Sequence, residues 1–172
     1  MQASLEISAF STCDLCDAHI SDNSGDFRVL PPVFRSYGGK PRFAGEVRTV
    51  QCLDDNSLVR AVLAEPGKGR VLVVDGGGSL RRALVGGNVA ASAAQNGWAG
   101  VLVYGCMRDV AELASTEVGL YALALNPMPT VKKAQGLRDV PVQIAGLWVS
   151  PGDWLYADAD GIVLSRRNLL LD

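Results

Sequence analysis

Three observations along the chain predict an α/β fold with a mixed sheet. Residues 71–74 (VLVV) and 101–104 (VLVY) are short apolar runs of the kind that fill a buried parallel sheet, and 89–96 between them has the small, unbranched composition of a helix. Each run exits into glycine or charge: Asp75 with Gly76-Gly77-Gly78 after the first, and Gly105 with Arg108 and Asp109 after the second. Several flanking stretches alternate apolar and polar residues, as strands with one solvated face do. A strand–helix–strand unit of this order gathers ligand-binding groups at the carboxyl ends of its strands, so chemistry is expected beside 75–78 and 105–109.

Taken in order, Ser11, Thr12 and Asp14 open STCDLCDAHI as a short helix with a hydroxyl N-cap and an acidic first turn. Pro31-Pro32 excludes a helix, and VFRSYGG and FAGEVRTVQCL then alternate as strands punctuated by Gly38-Gly39 and Gly45. Asp54-Asp55-Asn56 is a capping signal for a helix from Ser57 to about Glu65, which Pro66-Gly67 ends. VGLYALALNP fits strand or helix by pattern alone. Residues 142–149 alternate as one further strand, and Pro151-Gly152-Asp153 turns into the strand-like WLYADADGIVLS. No repeat or linker divides the 172 residues, which are read as one domain, 1–172, able to bury roughly two thirds of its unfolded surface without staples.

Composition narrows the function. Sixteen basic against eighteen acidic residues leave no basic field for a phosphate backbone, so no direct nucleic-acid partner is expected. No apolar run approaches the roughly 20 residues of a membrane span, so no membrane partner is expected either. Cys13, Cys16, Cys52 and Cys106 lack disulfide-framework spacing and no secretory segment precedes them; the expectation is a reduced, cytoplasmic protein. Cys13-x-x-Cys16 invites a zinc or redox role. With His19 as the only histidine and no second CxxC, however, a tetrahedral site stays one ligand short, and small buried thiols on a helix face are the simpler reading.

The triple glycine has the look of a dinucleotide or methyl-donor loop, yet from Gly76 the spacing is G-x-G-x-x-R, with Arg81 where close helix–strand packing needs a third glycine. Glycines that permit a tight crossing are the better account. Gly86, Gly87, Asn88 and Val89 begin the central helix, where main-chain N–H groups and the helix dipole suit a small carboxylate; a plain turn with Asn88 as cap is the alternative. Arg108-Asp109 favours the first. A guanidinium grips a carboxylate or enolate with two N–H groups, and the adjacent carboxylate suits a hard divalent ion such as Mg²⁺. Glu112, one helical turn on, is a candidate metal ligand or a carboxylate that orients the groups around the metal.

VLVVDGGGSLRRALVGGN, NGWAGVLVYGCMRDV and GDWLYADADGI together resemble the RraA-like family, which includes the regulator of ribonuclease E activity and the class II 4-hydroxy-4-methyl-2-oxoglutarate aldolases. The resemblance runs from CDLCDAH through FRSYGG and RFAGEVRTV to the end. It implies a three-layer ββα swivelling-domain sandwich with a mixed sheet, assembled as a ring-shaped homotrimer with clefts near subunit boundaries. It also implies a divalent cation, Mg²⁺ or Mn²⁺, that with an arginine stabilises the pyruvate enolate of retro-aldol cleavage and of oxaloacetate decarboxylation. Carried over by motif, Asp109 anchors the metal, Arg108 binds the 2-oxo acid substrate and stabilises the enolate, and Gly86, Gly87, Asn88 and Val89 contact a carboxylate. One departure stands out: dedicated aldolases have Asp-X20-Arg-Asp, whereas Gly87 here gives Gly-X20-Arg-Asp-X2-Glu, with Glu112 as the compensating carboxylate. The alternative role that the family implies is a non-catalytic, protein-binding inhibitor of an RNase E-type endonuclease. The menaquinone methyltransferase naming of some such proteins finds no support in the glycine spacing.

Overall fold

The computed structural model describes residues 9–171, in the order α1 (Thr12–Ala18), β1 (Arg28–Val29), β2 (Arg35–Ser36), β3 (Phe43–Gln51), α2 (Ser57–Leu63), β4 (Val71–Asp75), β5 (Ala83–Val85), α3 (Gly87–Gln95), β6 (Gly100–Met107), α4 (Val110–Ala114), β7 (Gly119–Leu125), β8 (Leu137–Arg138), β9 (Val142–Ile144), β10 (Leu147–Val149), β11 (Trp154–Ala157) and β12 (Ile162–Ser165). Among these, β3, β4, β6 and β7 lie side by side and parallel, with β5 parallel to β6 at its carboxyl end. The antiparallel β11 and β12 extend the sheet from β3, and β9 with β10 forms a separate hairpin. The fold is α/β with a mixed, curled sheet.

Side-chain alternation sets the layers. Leu72 and Val74 of β4, with Val101 and Val103 of β6, point into a core shared with Val59, Val62 and Leu63 of α2 and Ala90 and Ala93 of α3. Val71 and Val73, with Leu102, point the other way, onto Val142, Ile144, Val149, Leu155 and Leu164 of the second β layer. Because both faces of β4 and β6 are covered, their sequences read as continuous apolar runs. Phe43 lies across Gly100 and Gly119, which pair between β6 and β7; a Cβ on either would overlap its ring, so these glycines are packing positions.

Several expectations are refined. Within the segment 118–127, Gly119–Leu125 is strand β7; of VFRSYGG, Arg35–Ser36 forms a short strand against β7, and Tyr37 N adds a bond to Leu120 O. The alternation over 142–149 belongs to two strands, because Ala145 (φ 48°) and Gly146 (φ 85°) form a tight two-residue hairpin turn between Ile144 and Leu147. Ser11 caps α1 as predicted, its side chain accepting from Asp14 N. The thiols of that helix are not the buried pair expected: Cys13 is exposed and Cys16 half-buried. His19 stacks on Phe27 with ring centroids 4.7 Å apart, and its Nδ1 lies 2.8 Å from Leu15 O.

Candidate active site

The short strand β5 determines where the site forms. It pairs with the end of β6 and leads directly into α3, while β6 leads through Arg108 and Asp109 into α4, so two chain crossings converge at neighbouring carboxyl ends. Arg108 N donates to Val85 O at 3.0 Å and fixes one crossing against the other. The triple glycine, by contrast, forms a packing turn. A Cβ on Gly76 would lie 2.7 Å from Leu84 Cδ1 and Tyr104 O, and Arg81 is drawn away to Asp54 at 2.7 Å.

Asp109 is the N-cap residue of α4 in position but not in manner. Its backbone is left-handed (φ 64°, ψ 50°), an uncommon conformation for a non-glycine residue, and its side chain makes no capping bond to α4. Instead Oδ2 accepts from Gly87 N at 2.9 Å, bridging to the first residue of α3. The strain is thus spent on aiming a carboxylate at the start of another helix. Arg108 Nε lies 4.0 Å from the same Asp109 oxygen, and Nη1 donates to Pro127 O at 3.3 Å. Both side chains are 40% exposed, so both are open to a ligand.

Gly86 and Gly87 permit this approach. A Cβ on Gly86 would sit 2.7 Å from Asp109 Oδ2, and one on Gly87 would overlap Glu112 Oε2. The Glu112 carboxylate therefore occupies the space a side chain at position 87 would take, which places it beside Asp109 at the start of α3. The N-cap of α3 is Gly86, with no side-chain cap, so Asn88 is not the cap that the alternative reading supposed. Gly87 N is committed to Asp109 and Ala90 N to Gly86 O, which leaves the N–H groups of Asn88 and Val89 for a carboxylate. Of the predicted main-chain contacts, that of Gly87 is thus spent within the protein.

These groups line a cavity of about 100 Å³: Gly86, Gly87, Asn88, Val89, Arg108 and Asp109 on one side, with Asn56, Arg60, Thr130 and Lys132 among the residues completing it. The second group escaped the sequence reading. Asn56 stands at the N-cap of α2 but makes no side-chain capping bond: its Nδ2 donates to Leu84 O (3.0 Å) and its Oδ1 accepts from Thr130 Oγ1 (2.8 Å), joining α2, β5 and the segment after β7. Asp55 is buried. Burial opposes its ionisation, but hydrogen bonds from Ser57 Oγ and N, Gln135 N and Lys133 N prevail and hold its carboxyl down at about 2. The loop carrying Lys132 is thereby tied to the start of α2.

The donor set fits a hard divalent cation. Asp109 and Glu112 bring carboxylate oxygens to one place, in the cradle left by the missing Cβ of Gly87, and Mg²⁺ is commonly held by one or two carboxylates with water and substrate completing its shell. Among the described residues no group of three or more His, Cys, Asp or Glu gathers as an all-protein cage. No helix among them is long and apolar enough to cross a membrane.

Comparison with known proteins shows the family. The family model RraA-like, described as Aldolase/RraA, matches residues 12–164. A protein of Albidiferax ferrireducens named "Putative 4-hydroxy-4-methyl-2-oxoglutarate aldolase" is 58% identical over 170 residues, covering 94% of this chain and 98% of its own. One of the same name from Alkalilimnicola ehrlichii is 56% identical over 159 residues, covering 92% and 96%. Among solved structures, the "RNA-processing inhibitor RraA from Thermus thermophilis" superposes with a TM-score of 0.87 at 48% identity, over 92% of this chain and 94% of that one. A Geobacillus kaustophilus structure described as an S-adenosylmethionine: 2-dimethylmenaquinone methyltransferase superposes with a TM-score of 0.89 at 41% identity, over 95% and 99%. With the family model spanning most of its length, and relatives this similar over nearly all of theirs, the chain belongs to the RraA-like family.

Proposed function

We propose that this protein is a divalent-metal-dependent lyase that cleaves 4-hydroxy-4-methyl-2-oxoglutarate to pyruvate by retro-aldol chemistry and decarboxylates oxaloacetate through the same pyruvate enolate. The observation that carries the reading is the convergence of Arg108, Asp109 and Glu112 on the start of α3. The names of relatives at 56% and 58% identity support it. Asn88 and Val89 N–H groups receive the substrate's C1 carboxylate, with the positive end of α3 behind them. Asp109 and Glu112 would hold a divalent cation, which when bound would supply fixed positive charge where negative charge develops. Arg108, steadied at Nη1 by Pro127 O, presents the rest of its planar fork to the oxygens on which negative charge develops. Such preorganised charge acts on the transition state more than on the ground state, and so lowers the barrier to breaking the C–C bond.

The test is pyruvate release from both substrates in a coupled assay, with and without Mg²⁺ or Mn²⁺. Metal-dependent turnover of at least one is expected, and none with either would sink the proposal.

A second reading, inhibition of an RNase E-type endonuclease by direct binding, is favoured by Gly87 in place of an aldolase aspartate and by the 48% identity to the RNA-processing inhibitor. It predicts a complex with the endonuclease that survives Arg108→Ala and Asp109→Ala. No binding at micromolar concentration would remove it.

A further inference from the structure

We propose that Arg60 and Lys132 form a second anion subsite that reads the distal carboxylate of a dicarboxylic 2-oxo acid, an inference that rests on the lyase reading for the placement of the first carboxylate. The cavity walls divide by charge. The groups that would hold pyruvate come from the start of α3 and the end of β6, and there Arg108 is partly offset by Asp109. The remaining wall, from α2 and residues 129–132, contributes two cations and no carboxylate. Among the described residues neither Arg60 nor Lys132 has a carboxylate within 4.0 Å, whereas Arg28, Arg48, Arg81, Arg138 and Arg166 all do. With Asp109 and Glu112 assigned to the divalent cation, Arg60, Arg108, Lys132 and a helix N-terminus remain around the cavity, a set matched to a dianion, since a monoanion leaves the far wall uncompensated.

The far wall is also built rather than incidental. Lys132 sits in a segment without regular secondary structure, yet the residues after it are pinned: Lys133 N and Gln135 N donate to Asp55 Oδ2 at 2.9 and 3.2 Å, and Ala134 N to Ser57 Oγ at 3.3 Å, with Ala134 in a left-handed conformation (φ 55°). Before it, Thr130 is locked to Asn56. Asp55 is thus a positioning residue for Lys132. Arg60, in the last turn of α2, also lines an adjoining groove with Asn88, Val89 and Ser92, so the space continues past it along α3 and has room for a substituent on the distal carbon.

The experiment is calorimetric binding of pyruvate and of 2-oxoglutarate, which adds the second carboxylate, to the whole protein with Mg²⁺ present. Wild type is expected to bind 2-oxoglutarate at least tenfold more tightly than pyruvate. Arg60→Ala, Lys132→Ala and their combination should each collapse that ratio, by roughly tenfold or more for the double variant if each cation supplies one charge-assisted hydrogen bond. Arg60→Lys should keep part of it. A ratio unaltered in the double variant, or equal affinity for the two acids in wild type, overturns the subsite. Should 2-oxoglutarate selectivity follow Arg60 and Lys132 while neither oxaloacetate nor 4-hydroxy-4-methyl-2-oxoglutarate yields pyruvate, the subsite stands and the lyase reading alone falls.

Discussion

Arg108→Lys is expected to lower kcat by roughly a hundredfold or more at saturating substrate and metal, the effect of losing one preorganised donor worth about 3 kcal/mol in the transition state. Lysine preserves the charge, so the loss isolates the geometry. The guanidinium uses Nη1 on Pro127 O and lies with Nε 4.0 Å from Asp109, leaving a rigid fork for two substrate oxygens. A lysine ammonium is a point charge and cannot hold that anchor while offering a planar pair of N–H groups. Since Arg108 is half-exposed and its backbone N–H to Val85 O is unaffected, the fold should survive, which a thermal melt checks. Extra Mg²⁺ should not restore the rate.

Asp109→Asn should act differently, weakening Mn²⁺ affinity by roughly ten- to a hundredfold, with kcat partly restored by excess Mg²⁺. That range is the one usual for disrupting the groups around a bound metal. The amide oxygen can still accept from Gly87 N, so the bridge between α4 and α3 persists while the negative charge is lost. Glu112→Gln should weaken the same binding, because its carboxylate fills the cradle beside Asp109. Electron paramagnetic resonance of added Mn²⁺ reads the affinity without relying on turnover. Rescue of Arg108→Lys by Mg²⁺ but not of Asp109→Asn would reverse the division of labour, and full kcat in both variants would abolish it.

How much of this was legible depended on how local the cause was. Strands β4 and β6 were readable because burial on both faces leaves unbroken apolar runs, and the start of α3 was readable because Gly86 and Gly87 stand directly before its small residues. Strand β5 left no trace: three residues behind Arg81-Arg82 show no period, yet they place the whole site. The turn at Ala145-Gly146 was hidden because alanine rarely takes a positive φ, so two strands read as one. Gly100 and Gly119 resemble turn punctuation until Phe43 is seen lying across them. Asp109, Arg108 and Glu112 were found because they are neighbours in sequence. Arg60 and Lys132 were not, since only the Asn56–Thr130 and Asp55 hydrogen bonds, spanning 74 to 80 residues, bring them to one cavity.

The central claim is that this cleft stabilises a pyruvate enolate, and the most direct measurement is exchange of the pyruvate methyl protons in D₂O, followed by proton NMR with protein and Mg²⁺. Enolate formation predicts metal-dependent loss of the methyl signal, far faster than in buffer with Mg²⁺ alone and suppressed in Arg108→Lys. Exchange at the buffer rate, or exchange at the full wild-type rate in Arg108→Lys, would contradict it.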